Sequence, residues 1–280
     1  MKIRLIKYLK LTILLLAVPA AWAETVNCTP ITTLPTVITS QGVYCLTGSL
    51  KTNMTSGNAI EIQANNVTID LNGWKLGGKP AGVGTTVNGI YASNRKKITI
   101  RNGTIRGFYQ GILLDNSSPP YTSQGHLIED ILADRNTFMG IHIQGSDNIV
   151  RRNRVVDTGG STVNSSAYGI RLGGSGGRAL NNDISGTAAT PAGFGGYGLV
   201  LSSNGAVVEG NRIDDVPPPS NGNARGISIE NSNDVLVVGN RITRVYYGIY
   251  YDRARGKYMD NLTSNVTIPF TGGTSVGTNN

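Results

Sequence analysis

Gly140-Ile141-His142-Ile143 is followed ten residues later by Asn153-Arg154-Val155. The same pair of segments returns as Gly169-Ile170-Arg171-Leu172 with Asn182-Asp183-Ile184, and as Gly198-Leu199-Val200-Leu201 with Asn211-Arg212-Ile213. After each glycine the aliphatic residues alternate, which is the two-residue period of a strand. Each asparagine segment reads as a bend followed by a second short strand. Across the chain the starts are Ala59, Gly89, Gly111, Gly140, Gly169, Gly198, Gly226 and Gly248. Their partners are Asn72, Asn102, Asp130, Asn153, Asn182, Asn211, Asn240 and Asn261. Six of the eight separations are 13 residues, so the spacing is a repeat and sets the architecture.

Short strands joined by bends and repeated in one direction stack as parallel rungs roughly 4.8 Å apart. One coil cannot bury its own aliphatic face, but stacked coils share a continuous core. Eight rungs would make a cylinder of roughly 40 Å, wound right-handed like other parallel crossovers. Asparagine suits the left-handed backbone of a sharp bend, and its amide can bond a neighbouring coil. The asparagine row therefore reads as a structural ladder rather than a catalytic set. The expectation is an all-β chain: a single-domain right-handed parallel β-helix of about eight coils over residues 58–266. A cap segment precedes it at 24–57, and a flexible tail follows at 267–280.

The first 23 residues read as a targeting segment. Lys2, Arg4, Lys7 and Lys10 precede a short apolar run, and Ala21-Trp22-Ala23 offers a small-x-small cleavage site. Four of the positive charges behind the formal +8 lie there, leaving about +4. Neither that charge nor any Lys/Arg run points to nucleic acid. No later stretch is apolar enough to span a membrane, and the expected location is secreted or periplasmic. Cys28 and Cys45 are the two cysteines; in an oxidising compartment they are expected to form a disulfide stapling the cap.

Asn66-Val67-Thr68-Ile69-Asp70-Leu71-Asn72-Gly73, Ile98-Thr99-Ile100-Arg101-Asn102-Gly103 and the Gly-Ile rungs carry a resemblance to right-handed parallel β-helix repeat proteins, the pectin-lyase-like superfamily. The resemblance implies the fold. It leaves function open, because that superfamily holds polysaccharide lyases, glycoside hydrolases, epimerases and adhesins. Its best-known lyases use an aspartate-rich calcium site with an arginine base, and its hydrolases a cluster of aspartates. Neither pattern is matched residue by residue here. No cofactor or metal is expected, and Ca2+ has no supporting motif.

If the residues one and three after each glycine face inward, those two and four after it face outward. A mid-cylinder patch then gathers Asp115, His142, Gln144 and Arg171, with Tyr91 nearby and Ser228 and Tyr250 further along the same rows. Long loops at 158–167, 186–196 and 215–224 would wall one side, and an insertion at 116–125 the other. A groove of this kind suits a polysaccharide. In a β-elimination on an acidic polysaccharide, Arg171 would neutralise the uronate carboxylate, His142 would act as base and Tyr91 as acid. Asp115, Gln144, Ser228 and Tyr250 would bind substrate. Asp157 and Asp215 offer a carboxylate pair, although a salt bridge from Asp215 to Arg244 is the plainer reading. Tyr168, Tyr197 and Tyr247 share parity with the inward residues, which favours a stacked core or corner role over contact with sugar. Three functions stay open: an enzyme on an acidic polysaccharide, a non-catalytic carbohydrate-binding or surface structural protein, and a periplasmic metal-delivery protein. Two histidines and four methionines make a poor copper site. A monomer is expected.

Overall fold

The computed structural model describes residues 27–190, 192–219 and 222–280. The expected leader and its cleavage site lie outside the described residues. The rest is a right-handed parallel β-helix: 26 strands in one sheet, with parallel pairing throughout. Each coil has three faces. The glycine face holds strands such as Met139–Ile143 and Gly196–Asn204. A middle face holds Ile149–Arg151 and Arg178–Leu180, and a third holds Arg154–Val156 and Asp183–Ser185.

The core follows from the alternation. Ile60, Ile90, Ile112, Ile141, Ile170, Leu199, Ile227 and Ile249 form one inward row on the glycine face, all buried. Ile100, Ile128, Val150 and Val208 line the middle face, and Ile105, Val155, Ile184 and Ile213 the third. Full burial of each such side chain contributes about 1.5–3 kcal/mol.

The coil begins earlier and ends later than 58–266. Thr36–Ile38 pairs in parallel with Asn58–Ile62, so part of the expected cap is already a rung. The Cys28–Cys45 disulfide forms and ties two adjacent rungs, where Pro30 pairs with Cys45. At the other end, Leu262–Thr271 pairs with Arg241–Asp252, and Thr274–Ser275 continues the middle face. The expected flexible tail is thus built into the stack.

The asparagine ladder holds for five of the eight positions. Asn153, Asn182, Asn211, Asn240 and Asn261 are buried. Each Nδ2 donates to the Oδ1 of the next ladder asparagine and to a carbonyl of the preceding coil, as Asn182 does to Asn211 and Val150. Asn279 supplies the last acceptor for Asn261. Asn102 and Asp130 lie one register short, opposite Arg152, Asn181, Gly210, Gly239 and Asp260. All seven of those residues have φ between 53° and 66°. The left-handed residue of the bend is therefore the one before the ladder asparagine. Asn72 departs differently: it sits half-buried in a wider bend at 71–74 and bonds the Leu46 carbonyl.

Candidate functional site

The glycines rearrange the outer surface. Along the glycine face, Tyr168 pairs with Tyr197 and Ile170 with Leu199, while Gly169 and Gly198 between them are skipped. A Cβ on Gly169 would stand 2.5 Å from the Gly198 carbonyl and 2.6 Å from Ile184 in the core. Two consecutive positions, the glycine and the aliphatic after it, therefore point inward. The residue before the glycine is turned outward beside the residue two after it. The inward expectation for Tyr168, Tyr197 and Tyr247 is corrected on this ground.

That turn produces a strip the alternation rule hides. Tyr109 stacks on Phe138 at 4.8 Å between ring centroids, and Phe138 meets Tyr168 edge-on at 5.7 Å. Tyr168 stacks on Tyr197 at 4.9 Å. Arg171 lies over the Tyr168 ring. Arg225 follows, with its guanidinium carbon 5.6 Å from the Tyr197 centroid and 3.9 Å from that of Tyr250. Tyr250 then packs on Tyr247, and Tyr247 on Tyr246. The strip ends in a cavity of about 260 Å³ lined by Gly222, Asn223, Arg225, Tyr246, Tyr247 and Tyr250. Arg225 is held there by Asn223 Oδ1 and Ser228 Oγ, with Glu230 and Asp252 at 3.8 and 3.5 Å. The signal was present in the sequence as Tyr168, Tyr197, Arg225 and Tyr247, each immediately before its glycine.

The residues singled out from sequence separate into two groups. His142 pairs with Arg171 on the next rung, and Asp115 and Gln144 lie close by. His142 is buried. Its Nδ1 donates to Gln110 Oε1 at 3.1 Å, and its Nε2 accepts from Gln144 Nε2 at 3.3 Å. Gln144 is fixed in turn by the Asn116 amide, which donates to its Oε1. Burial, reinforced by the Arg171 cation and opposed by Asp115, lowers the His142 pKa to about 4. The ring is thus neutral, with its lone pair occupied. Asp115 accepts from the Ser117 amide and hydroxyl. Tyr91 pairs with Leu113, which pairs with His142, so Tyr91 stands two rungs away. Ser228 has no exposed surface, and its hydroxyl accepts from Arg225 and donates to Glu230. Tyr250 is the member of the set that reaches the cavity.

Two other readings change. Arg244 pairs with Asp214 at 2.6 Å rather than with Asp215, and Asp214 also takes Arg212. Asp214 is nearly buried in its strand, whereas Asp215 turns the corner with φ 55°. His126 is a buried corner residue: its Nδ1 accepts from the Ile98 amide and its Nε2 faces Ser123 Oγ at 2.8 Å.

Metal chemistry has little to draw on. Both cysteines are in the disulfide, and each histidine has both nitrogens engaged. Among the described residues no three His, Cys, Asp or Glu side chains converge. No helix among them is long and apolar enough to cross a membrane.

Against known proteins, residues 36–267 match a family described as periplasmic copper-binding protein (NosD). No curated protein sequence matches. Among solved structures, the enzymatically active domain of bacteriophage CBA120 tailspike protein 2 is similar, with TM-score 0.61 and 16% identity. The match covers 85% of this chain and 38% of that one. The full-length tailspike protein 2 from an Escherichia coli O157:H7 bacteriophage gives TM-score 0.61 and 16% identity, over 89% of this chain and 34% of that one. The chain thus spans little more than a third of the length of these structures, and at that identity the likeness is one of fold.

Proposed function

Because the chain belongs to the NosD family, we propose that it is an exported protein, and that it binds a carbohydrate chain in the cavity at the end of the tyrosine–arginine strip. For the copper in the family's name, no three His, Cys, Asp or Glu side chains converge among the described residues. Copper sites draw on free thiolate, thioether or imidazole groups. In this chain the thiols are oxidised and the imidazoles hydrogen-bonded, so no step is routed through a metal.

The observation that carries the carbohydrate reading is the cavity where Tyr246, Tyr247 and Tyr250 surround Arg225. Tyrosine faces suit the C–H faces of sugar rings and present a polar rim. Arg225 supplies donors, with Asn223 holding it in place, and Glu230 and Asp252 supply acceptors for hydroxyls. The two carboxylates share Arg225, which leaves each with oxygen lone pairs for a ligand hydroxyl. His142, held between two glutamines and with a pKa near 4, is a weak base, so binding without cleavage is favoured over β-elimination. The fold likeness to tailspikes and the disulfide agree with an extracytoplasmic glycan binder.

The test is titration of the full chain with a panel of neutral and acidic oligosaccharides, followed calorimetrically. At least one is expected to bind, and Tyr250→Ala and Arg225→Gln are each expected to weaken it tenfold or more. Absence of binding across the panel would reject the reading. Accumulation of unsaturated uronate products, abolished in His142→Ala, would restore the lyase mechanism in its place.

A further inference from the structure

A second cavity lies at the corner between the third face and the glycine face, on coils whose own corners are short. Only 9 residues separate Asn102 from Gly111, and 10 separate Asp130 from Gly140. On one side stands the segment 78–86, which carries the short 3-10 turn Lys79–Ala81. On the other stands the loop 158–166. The two meet over the short corners: the Thr162 amide donates to the Val83 carbonyl at 3.2 Å, and a Cβ on Gly84 would touch the Thr162 hydroxyl. Both roots are pinned. Gly78 packs on the buried Phe108 ring and donates to the Arg106 carbonyl. Gly159 and Ser161 donate to the carbonyls of Asn136 and Thr137. Asn164 also bonds the Tyr109 hydroxyl, which anchors the loop to the first ring of the strip.

Beneath that bridge is a cavity of about 470 Å³ lined by Lys79, Val83, Gly107, Arg135, Thr137 and Asp157. Its size falls in the range of small-ligand sites, roughly 300–1,000 Å³. Its charges do not balance. Arg135 makes only long ion pairs, Nε standing 3.5 Å from Asp157 and 3.8 Å from Asp134. Asp134 is already taken at 3.0 Å by Arg106. Lys79 has no ion pair among the described residues. Two cations therefore face one carboxylate in an open cavity, with their donors free for a stronger acceptor. An exposed ion pair of that length contributes little, so giving it up for a ligand costs little. Lys and Arg grip a carboxylate through charge-assisted hydrogen bonds, and Asp157 would then accept from hydroxyls on the same ligand.

We propose that this bridged cavity is a second binding site, separate from the strip, for a small hydroxylated carboxylate such as a sugar acid. Lys79 and Arg135 take the carboxylate, Asp157 takes hydroxyls, and the Val83–Thr162 clasp closes over the ring. The carboxylate could be a free sugar acid or the terminal unit of an acidic glycan, and the probes separate these sources.

The experiment titrates the full chain with glucuronate, a glucuronate-bearing oligosaccharide, glucose and acetate. The wild type is expected to bind at least one glucuronate probe, with glucose and acetate at least tenfold weaker. Binding of free glucuronate identifies a small-molecule site, and binding of the oligosaccharide alone identifies a chain-end site. Lys79→Gln with Arg135→Gln is expected to cost tenfold or more while leaving the melting temperature unchanged, since both side chains are exposed. Tyr250→Ala is expected to leave this affinity intact. No binding of either glucuronate probe, or unchanged affinity in the double variant, overturns the proposal. Loss in Tyr250→Ala alone would overturn it while supporting the strip.

Discussion

Two corners of the same coil are solved in opposite ways. At the asparagine corner, between the middle and third faces, every coil from Asn153 onward turns on a left-handed residue followed by a buried asparagine. At the loop corner, between the third and glycine faces, the turn also starts on a left-handed residue. Arg135, Asp157, Gly186, Asp215 and Arg244 all have φ between 51° and 64°. After Asp157, Gly186 and Asp215, however, the chain leaves the cylinder for loops, whereas after Arg244 the strand Arg241–Asp252 runs on unbroken. The difference lies in which groups close the hydrogen bonds. The asparagine amides close on neighbouring coils inside the wall, so the spacing is fixed and nothing can be inserted. At the loop corner backbone bonds also join neighbouring coils, as Asp157 to Ser185 and Gly186 to Asp214, but no run of asparagines follows them and length is free to vary. Both proposed sites adjoin that corner.

Breaking the asparagine corner should have the largest effect. Asn211→Ala leaves the Asn182 amide and Nδ2 without their acceptor and the Ala179 carbonyl without its donor, all buried. At about 1–3 kcal/mol for each orphaned group, a loss of roughly 3 kcal/mol or more is expected in the urea midpoint. A midpoint within about 0.5 kcal/mol of wild type would mean that the ladder is not what fixes the spacing.

Acid should act next, through corner and strand histidines together. Burial lowers His126 to about 4, and burial with Arg171 lowers His142 to about 4. Unfolded histidine titrates near 6.5, so between the two values the unfolded chain binds the extra proton. The stabilisation is complete above pH 6.5 and is lost as pH falls toward 4, by at most roughly 3 kcal/mol per histidine. Urea midpoints measured from pH 7 to pH 4 should fall, and fall less in His126→Asn. An equal fall in both proteins would remove His126 from the account.

The glycine face should respond more mildly. Gly169→Ala drives a methyl against the Gly198 carbonyl and Ile184, an overpacking expected to cost about 1–3 kcal/mol. It should also disturb the Tyr168–Tyr197 stack, which near-ultraviolet circular dichroism would register. At the loop corner, Phe194→Ser should change stability by less than about 0.5 kcal/mol, because that ring is 78% exposed. A larger loss there would show that the loops brace the cylinder and are not only carried by it.

The contrast also explains what the sequence disclosed. The inward rows were legible because alternate Ile, Leu and Val after each glycine can only be a stacked strand. Register was less so. From Gly140 to Ile149 is 9 residues, but from Gly89 to Thr99, the residue in the equivalent place, is 10. A constant spacing of 13 therefore reached the ladder at Asn153 but fell one residue short of it at Asn102. The neighbourhood of His142 and Arg171 was readable from spacing alone. Gln110, which fixes the histidine, was not, because simple alternation places the residue before each glycine inside. The same assumption concealed the aromatic strip.

The ladder also has a direction. Each asparagine donates toward the C-terminus: Asn153 to Asn182, Asn182 to Asn211, Asn211 to Asn240, Asn240 to Asn261, and Asn261 to Asn279. A chain synthesised from its N-terminus therefore always carries open donors on its newest coil, and each arriving coil brings the acceptor that closes them. Growth is templated at one end only, and the assembly stays incomplete until Asn279 arrives.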